Sequence, residues 1–176
     1  VNHFNELWPE SEVAEWDRSG LMIGDLSAEI QTVVLSVDVT MDVLAHAKEL
    51  GANLVLSHHP MFLRGANTLR EDLAKGAEAT FAIKNDLAVF SAHTNADFVP
   101  YGVSQTLAKA LGLGSLEFLD PDTRQGVIGT LGKPTTLMEF ARAAARVLPS
   151  VAQGIKVSGD PDRPISRVGL VAGAGD

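Results

Sequence analysis

The stretch TVVLSVDVTMDVLAHAKELGANLVLSHHP, residues 32–60, determines the fold class that the sequence predicts. Its β-branched and apolar start, 32–39, favours a central parallel strand that is buried on both faces. Thr40 can then cap a helix that runs to about Leu50 and is stopped by Gly51, and residues 53–57 favour a second strand. Two strands separated by a helix predict a β-α-β unit in which the strands are parallel.

The alternation of strands and helices continues towards the C-terminus. The segment TLRE, 68–71, matches a capping box and predicts a helix to about Lys84, with Leu73, Ala77 and Phe81 facing inward. The other predicted elements are a strand at 87–92, a helix at 102–111, a strand at 126–131, a helix at 136–148 with a capping box of Thr136 and Glu139, and strands at 154–159 and 167–173. The order of elements predicts an α/β fold with a mainly parallel sheet and flanking helices.

Residues 114–125 interrupt this pattern, because they combine glycine and proline with several acidic side chains. They predict a linker between a complete first lobe, 1–113, and a second lobe, 126–176. The final segment RVGLVAGAGD, 167–176, reads as a strand and a glycine-rich turn, with Asp176 placed to cap a helix that does not follow. We therefore expect the second lobe to lack its C-terminal part and the sequence to belong to a longer protein.

The composition narrows the classes of protein and site. The 176 residues contain no cysteine, which excludes disulfides, thiolate metal sites and cysteine nucleophiles. A formal net charge of −8 argues against a broad nucleic-acid surface. No apolar stretch approaches the roughly 20 residues of a membrane-spanning helix, and VNHFNELWPE, 1–10, lacks the pattern of a signal peptide. We therefore expect a cytoplasmic protein without membrane association.

Residues that can bind a metal follow two neighbouring predicted strands. His58 and His59 come directly after the second strand, and His93 and Asp97 follow the third. Because the carboxyl ends of parallel strands meet at one edge of a sheet, these four side chains are expected to converge. Imidazole and carboxylate together suit Zn²⁺, Mn²⁺, Fe²⁺ or Ni²⁺. Either histidine alone is better explained as a hydrogen-bonded core residue, whereas the set of four favours a metal site.

The adjacent histidines are compatible with one ion, around which the pair can splay, or with two. In an extended segment, which Pro60 enforces for His59, neighbouring side chains point to opposite sides. Each imidazole can then serve its own ion, and two metals about 3.5–4 Å apart form a recognised site for hydrolysis. Asp38, at the end of the first strand, is either a partner that orients a ligand or a residue of a turn or cap. His3 and His46 are predicted to lie on the surface.

Five motifs together resemble a known family. They are EWDRSGLMIGD at 15–25, VDVT at 37–40, SHHP at 57–60, AHTNAD at 92–97 and RVGLVAGAGD at 167–176. Their order is similar to that of the NGG-interacting-factor-three-like family, whose members are also called GTP cyclohydrolase 1 type 2 homologues. The resemblance spans nearly the whole chain. Arg18 stands where the family commonly has asparagine.

The resemblance implies two related α/β lobes that carry a dinuclear metal centre and assemble into a homohexamer. By motif, His58 and His59 would each ligate a metal, and Asp97 would be a shared carboxylate ligand. His93 would be a further ligand, or would orient one or transfer a proton. The implied cofactors are two divalent transition-metal ions (Zn, Fe, Mn or Ni). The family completes this centre with a histidine and a glutamate from a motif that this sequence does not reach, so full occupancy is expected only in the longer protein.

Two functions of different classes are compatible with these residues. The first is a metal-dependent hydrolase that uses metal-activated water on an unknown, small, nucleotide-like substrate. The alternative is a non-enzymatic, metal-binding oligomeric scaffold or regulatory protein that engages protein partners. A role in nucleic-acid binding ranks third because of the acidic composition.

Overall fold

The computed structural model describes residues 2–173, and internal contacts divide the chain after Val99 into two units. The sequence predicted a later division, with a linker at 114–125. The difference arises because the helical residues soon after Val99 pack with residues further along the chain: Ala108 is fully buried in a cluster with Leu113 and Val127. The predicted linker is also not irregular throughout, since a strand covers residues 113–118.

The first unit is a four-stranded sheet with helices against it. Its elements are the helix α1 (Asn2–Leu7), a short 3₁₀ turn (Glu10–Glu12), the strands β1 (Gly20–Ile23) and β2 (Val33–Ser36), the helix α2 (Met41–Glu49), the strand β3 (Leu54–Ser57), the helix α3 (Ala74–Lys84), the strand β4 (Ala88–Ser91) and the short helix α4 (Thr94–Asp97). The strand order is β1-β4-β3-β2, and only β1 runs antiparallel to its neighbour. The predicted α/β class with a mainly parallel sheet is confirmed.

The core of this unit lies on the two central strands. Leu54 and Val55 of β3 and Val89 and Phe90 of β4 are completely buried. Alternate side chains of these strands enter clusters on opposite faces of the sheet, as the two-residue period of a strand requires. The predicted helix after Thr40 is confirmed as α2, because the Thr40 hydroxyl accepts a hydrogen bond from the Val43 N–H at 3.3 Å.

The strand β2 contradicts the prediction that 32–39 forms a central strand buried on both faces. Within residues 2–173 it pairs only with β3, so it lies at the edge of the sheet. Leu35 is 75% exposed and Val37 is 58% exposed. Apolar composition alone does not distinguish a central strand from an edge strand, because the number of neighbours is decided by the tertiary arrangement.

The helix α3 begins later than predicted and turns a different face inward. It starts at Ala74 instead of after Thr68, and Gly76, Ala79 and Ala82 form its buried face. Leu73 is 48% exposed, so its predicted inward position is wrong, while Ala77 and Phe81 are only half-buried. The buried small residues allow close approach of other backbone to the start of the helix.

The second unit is built on an antiparallel sheet. It contains the helix α5 (Val103–Ala110), the strands β5 (Leu113–Phe118) and β6 (Val127–Thr136), the helix α6 (Leu137–Val147) and the strand β7 (Pro164–Leu170), with strand order β5-β6-β7. The predicted capping box of Thr136 and Glu139 is confirmed at the start of α6. The strand predicted at 154–159 is absent from the described residues, which form turns and irregular backbone there. The predicted cap at Asp176 lies outside the described residues.

The helices of residues 2–173 are short. The longest, α3 and α6, have 11 residues each, and none is long and apolar enough to cross a membrane.

Substitution of Gly76 by alanine is expected to lower the free energy of unfolding by about 1–3 kcal/mol, because the protein would have to shift its backbone to make room. An added Cβ atom would lie 2.0 Å from the carbonyl oxygen of Arg70. Gly65→Ala is the matched control, since nothing lies within 4 Å of a Cβ at that position. Urea denaturation followed by circular dichroism measures both, and an equal loss in the two variants would contradict this account.

Candidate metal site

The candidate site starts from two buried serines at the ends of the central strands. Ser57 of β3 and Ser91 of β4 are paired in the parallel register, and their hydroxyl oxygens lie 2.9 Å apart. The Ser57 hydroxyl also donates to the carbonyl oxygen of His59 at 2.9 Å. The two chain segments that leave the sheet, at His58 and at Ala92, are therefore held side by side.

Three histidines converge at this edge of the sheet. The ring centroids of His58 and His59 lie 5.3 Å apart, those of His58 and His93 5.0 Å, and those of His59 and His93 5.6 Å. One ring nitrogen from each residue lies within 4.8 Å of the other two. The sequence predicted the convergence of His58, His59 and His93 from their places after β3 and β4.

Each of the three rings is oriented through its Nδ1 atom. Nδ1 of His58 lies 3.0 Å from the carbonyl oxygen of Ala92. Nδ1 of His59 lies 2.7 Å from a carboxylate oxygen of Asp38, and Nδ1 of His93 lies 2.8 Å from a carboxylate oxygen of Asp17. Because these oxygens only accept hydrogen bonds, each Nδ1 carries the proton, and in the neutral ring the Nε2 atom keeps its lone pair. This tautomer is the one that binds a metal through Nε2.

Asp17 is the partner that sequence reasoning missed. Its side chain is 1% exposed and accepts hydrogen bonds from the Thr94 hydroxyl at 2.6 Å, the Thr94 N–H at 3.1 Å and the Arg18 N–H at 2.6 Å, as well as from His93. Burial alone would raise the pKa of Asp17, but these hydrogen bonds outweigh it, and the pKa lies below its usual value. Asp17 and His93 are 76 residues apart, so no local pattern pairs them. The feature of the sequence that could have drawn attention to Asp17 was its place in the motif EWDRSGLMIGD.

Asp97 lies beside the histidines but is not a member of the close group. It ends the short helix α4 and is half-buried. Burial raises the pKa of Asp97, opposed by the nearby imidazoles of His58 and His93 and reinforced by the charge of Asp17. The group whose ligand atoms lie within 4.8 Å of one another consists of the three histidines. The structure therefore places Asp97 within electrostatic reach of the site, and its role as a ligand stays a prediction.

The other polar residues considered from the sequence take supporting positions. Asp38 contacts Nδ1 of His59. This agrees with the interpretation of Asp38 as a partner that orients a ligand. The fully buried Asn95 accepts from the His93 N–H at 3.0 Å and donates to the carbonyl oxygen of Trp8 at 2.9 Å, which holds the turn after β4. His3 and His46 are exposed beside glutamates of their own helices, so their predicted surface positions are confirmed.

A pocket of about 400 Å³ begins at Pro60, the residue after His59. Apolar side chains such as Met61, Phe62 and Leu73 line it, together with the cationic side chains of Arg64 and Lys75. This volume and mixed lining are typical of sites for small molecules.

The residues present fit a transition-metal ion. Imidazole nitrogens are common ligands of Zn, Fe and Ni, and three of them converge here with their tautomers set. A carboxylate or carbonyl oxygen behind each ring is the arrangement that raises the basicity of a histidine ligand. The cluster can therefore bind a metal ion.

Comparisons with known proteins agree along the whole chain. The family model for Duf34/NIF3 (NGG1p interacting factor 3) matches residues 1–176. A Streptomyces coelicolor protein named GTP cyclohydrolase 1 type 2 homolog is 38% identical over 183 residues, which cover 100% of this chain and 64% of that protein. A Clostridium perfringens protein of the same name is 32% identical over 180 residues, covering 99% of this chain and 68% of its own. The chain thus spans about two thirds of the length of these curated relatives.

Solved structures share the fold. A Bacillus cereus protein related to NIF3 aligns with a TM-score of 0.84 at 22% identity, over 99% of this chain and 75% of that one. A Staphylococcus aureus protein aligns with a TM-score of 0.81 at 25% identity, over 99% of this chain and 70% of its own. On the match of the family model and the identity to curated relatives, the chain belongs to the Duf34/NIF3 family.

Proposed function

We propose that this chain carries the metal-binding part of a metal-dependent hydrolase. The observation that carries the proposal is the set of three imidazoles, each with its Nδ1 atom on an acceptor and its Nε2 atom available. Fixing each ring costs side-chain entropy, so the orientation of all three together requires compensating interactions. A metal ion gives such an arrangement a function.

The proposed ligands are His58, His59 and Asp97, as the sequence motifs imply, together with His93. The rings of the first two lie with centroids 5.3 Å apart, so they meet on one side instead of pointing to opposite sides as an extended segment predicts. We propose two ions from the motifs, since this geometry is compatible with one ion as well as with two. The half-buried carboxylate of Asp97 supplies the negative charge that balances two divalent transition-metal ions.

The surrounding residues position these ligands and hold their protons. Asp17 and Asp38 accept the Nδ1 protons of His93 and His59 and make both rings better donors to a metal. Asp17 also holds the Nδ1 proton of His93 in place, and we propose His93 as a further ligand or as the residue that transfers a proton. When bound, the ions would lower the pKa of a coordinated water and polarise the bond to be cleaved.

The substrate class is proposed from the relatives and the pocket. Relatives are named GTP cyclohydrolase 1 type 2 homolog, which suggests hydrolysis of a nucleotide-like small molecule. The pocket that begins at Pro60 is lined by Arg64 and Lys75. The Lys75 ammonium is paired with Glu78 at 2.8 Å, so we propose the guanidinium of Arg64 as the partner of an anionic group on such a molecule. As the resemblance implies, we propose that the whole protein is a cytoplasmic homohexamer.

A second candidate is a metal-binding scaffold that engages proteins, including copies of itself. The exposed apolar side chains at the edge of the sheet, Leu35 in β2 and Val37 directly after it, favour this candidate. Metal-dependent turnover of any small molecule would exclude a purely structural role for the site.

Substitution of His58 by alanine is expected to lower the affinity for a divalent transition metal at least ten-fold, because one proposed ligand is lost. Inductively coupled plasma mass spectrometry after dialysis against zinc measures the metal bound per chain. His46→Ala is the matched control, since that histidine is exposed on α2 and should leave the metal content unchanged. Equal metal contents in wild type and His58→Ala would contradict the proposal.

The substitutions Asp17→Asn and Asp38→Asn distinguish the effect of a carboxylate on zinc affinity from its effect on the free energy of unfolding. Both are expected to weaken zinc binding 10–100-fold, because both carboxylates orient a histidine. Only Asp17→Asn should also lower the free energy of unfolding, by roughly 2 kcal/mol or more, since an amide cannot accept all the donors around this buried side chain. Asp38 is exposed, so its contribution should stay below about 1 kcal/mol.

Competition with a chromophoric chelator and urea denaturation give the two quantities for each variant. Unchanged zinc affinity in both variants would show that the carboxylates do not orient metal ligands.

A further inference from the structure

Trp16 is a large apolar side chain that takes no part in the core. It is 59% exposed, whereas Asp17, the next residue, is 1% exposed. The three hydrophobic clusters of the described residues do not include it. The other tryptophan, Trp8, packs into the cluster below the sheet and stacks on Phe4 with a centroid distance of 5.9 Å. Packing therefore explains Trp8 and leaves Trp16 without an explanation.

The indole of Trp16 stands beside the candidate metal site. Its ring lies 5.9 Å from the ring of His93, at an interplanar angle of 87°. In this edge-to-face contact only one edge or face of the indole is used, and the rest of its surface stays open. An exposed aromatic ring next to a cluster of oriented polar groups is typical of a ligand site.

The backbone that carries Trp16 is firmly held. The Ala14 N–H donates to the Thr94 hydroxyl at 3.0 Å, and the Asp17 N–H donates to the carbonyl oxygen of Ala14 at 2.9 Å. The guanidinium of Arg18 donates to the carbonyl oxygens of Glu15 and Asp17 and so closes the same turn. These bonds fix the backbone from which the indole projects, and the contact with His93 orients the ring. Such restraint lowers the entropy lost when a ligand binds against it.

We propose that Trp16 is a positioning residue that stacks on a planar ring of the ligand while another group of that ligand reaches the metal site. The proposal rests on the metal-binding function proposed above. It names the ligand class as aromatic or heteroaromatic compounds that carry an oxygen donor for the metal. Saturated ligands with the same donor gain nothing from the indole.

Two hydroxamates test this distinction, because they share one metal-chelating group and differ in the ring. Isothermal titration calorimetry on the zinc-loaded chain would give the affinities of benzohydroxamate and acetohydroxamate. Trp16→Ala is expected to weaken benzohydroxamate about ten-fold, the usual effect of losing one aromatic stacking contact. Acetohydroxamate should change less than about two-fold, and Trp16→Phe should retain most of the affinity for benzohydroxamate.

The outcomes separate this inference from the proposed function. A chain that takes up no zinc overturns both. If the zinc-loaded chain binds acetohydroxamate but Trp16→Ala leaves benzohydroxamate unchanged, or weakens both compounds equally, only the stacking role is overturned. A change of oligomeric state in Trp16→Ala with unchanged affinities would assign Trp16 to contacts between copies of the chain and would overturn it as well. Unchanged thermal unfolding and zinc content in Trp16→Ala confirm that the comparison concerns the ligand.

Discussion

The buried carboxylate of Asp17 connects the N-terminal segment to the end of β4, and the candidate site depends on this connection. A charge with 1% exposure is strongly destabilising unless hydrogen bonds replace the lost water. Here Thr94, Arg18 and His93 supply them, and together they lower the pKa of the carboxyl group despite its burial. The same carboxylate therefore stabilises the turn after β4, sets the tautomer of His93 and holds the segment that carries Trp16.

Parallel register explains why the histidines meet. Because Ser57 of β3 pairs with Ser91 of β4, the residues after each serine leave the sheet at the same level. The serine hydroxyls then bond to each other and to the carbonyl oxygen of His59, which fixes the direction of the chain after β3. Asp38, at the end of β2, reaches His59 from the third parallel strand. Three adjacent strand ends thus build the site.

Capping patterns in the sequence predicted the starts of two helices correctly, because the hydrogen bonds of a helix cap join residues that are close in the chain. Thr40 and the Thr136–Glu139 capping box start α2 and α6 as expected, since these hydrogen bonds join residues three apart. The TLRE segment failed in this role: the Thr68 hydroxyl accepts from the Arg70 N–H, and the helix begins at Ala74. The backbone at Arg70 folds back against Gly76 in the first turn of the helix, and helix propensities of single residues do not describe this contact.

The sequence by itself determined the α/β class, the order of most elements, the family, and the convergence of His58, His59 and His93. The periodicity of strands and helices depends only on neighbouring residues. The meeting of ligands at the carboxyl ends of parallel strands follows from the order of these elements along the chain. Only the tertiary structure decided that β2 is an edge strand and that Asp17 is the partner of His93. Both depend on contacts between residues far apart in the chain. Such contacts are selected by the summed free energy of packing and hydrogen bonding, and no local pattern of residues records them.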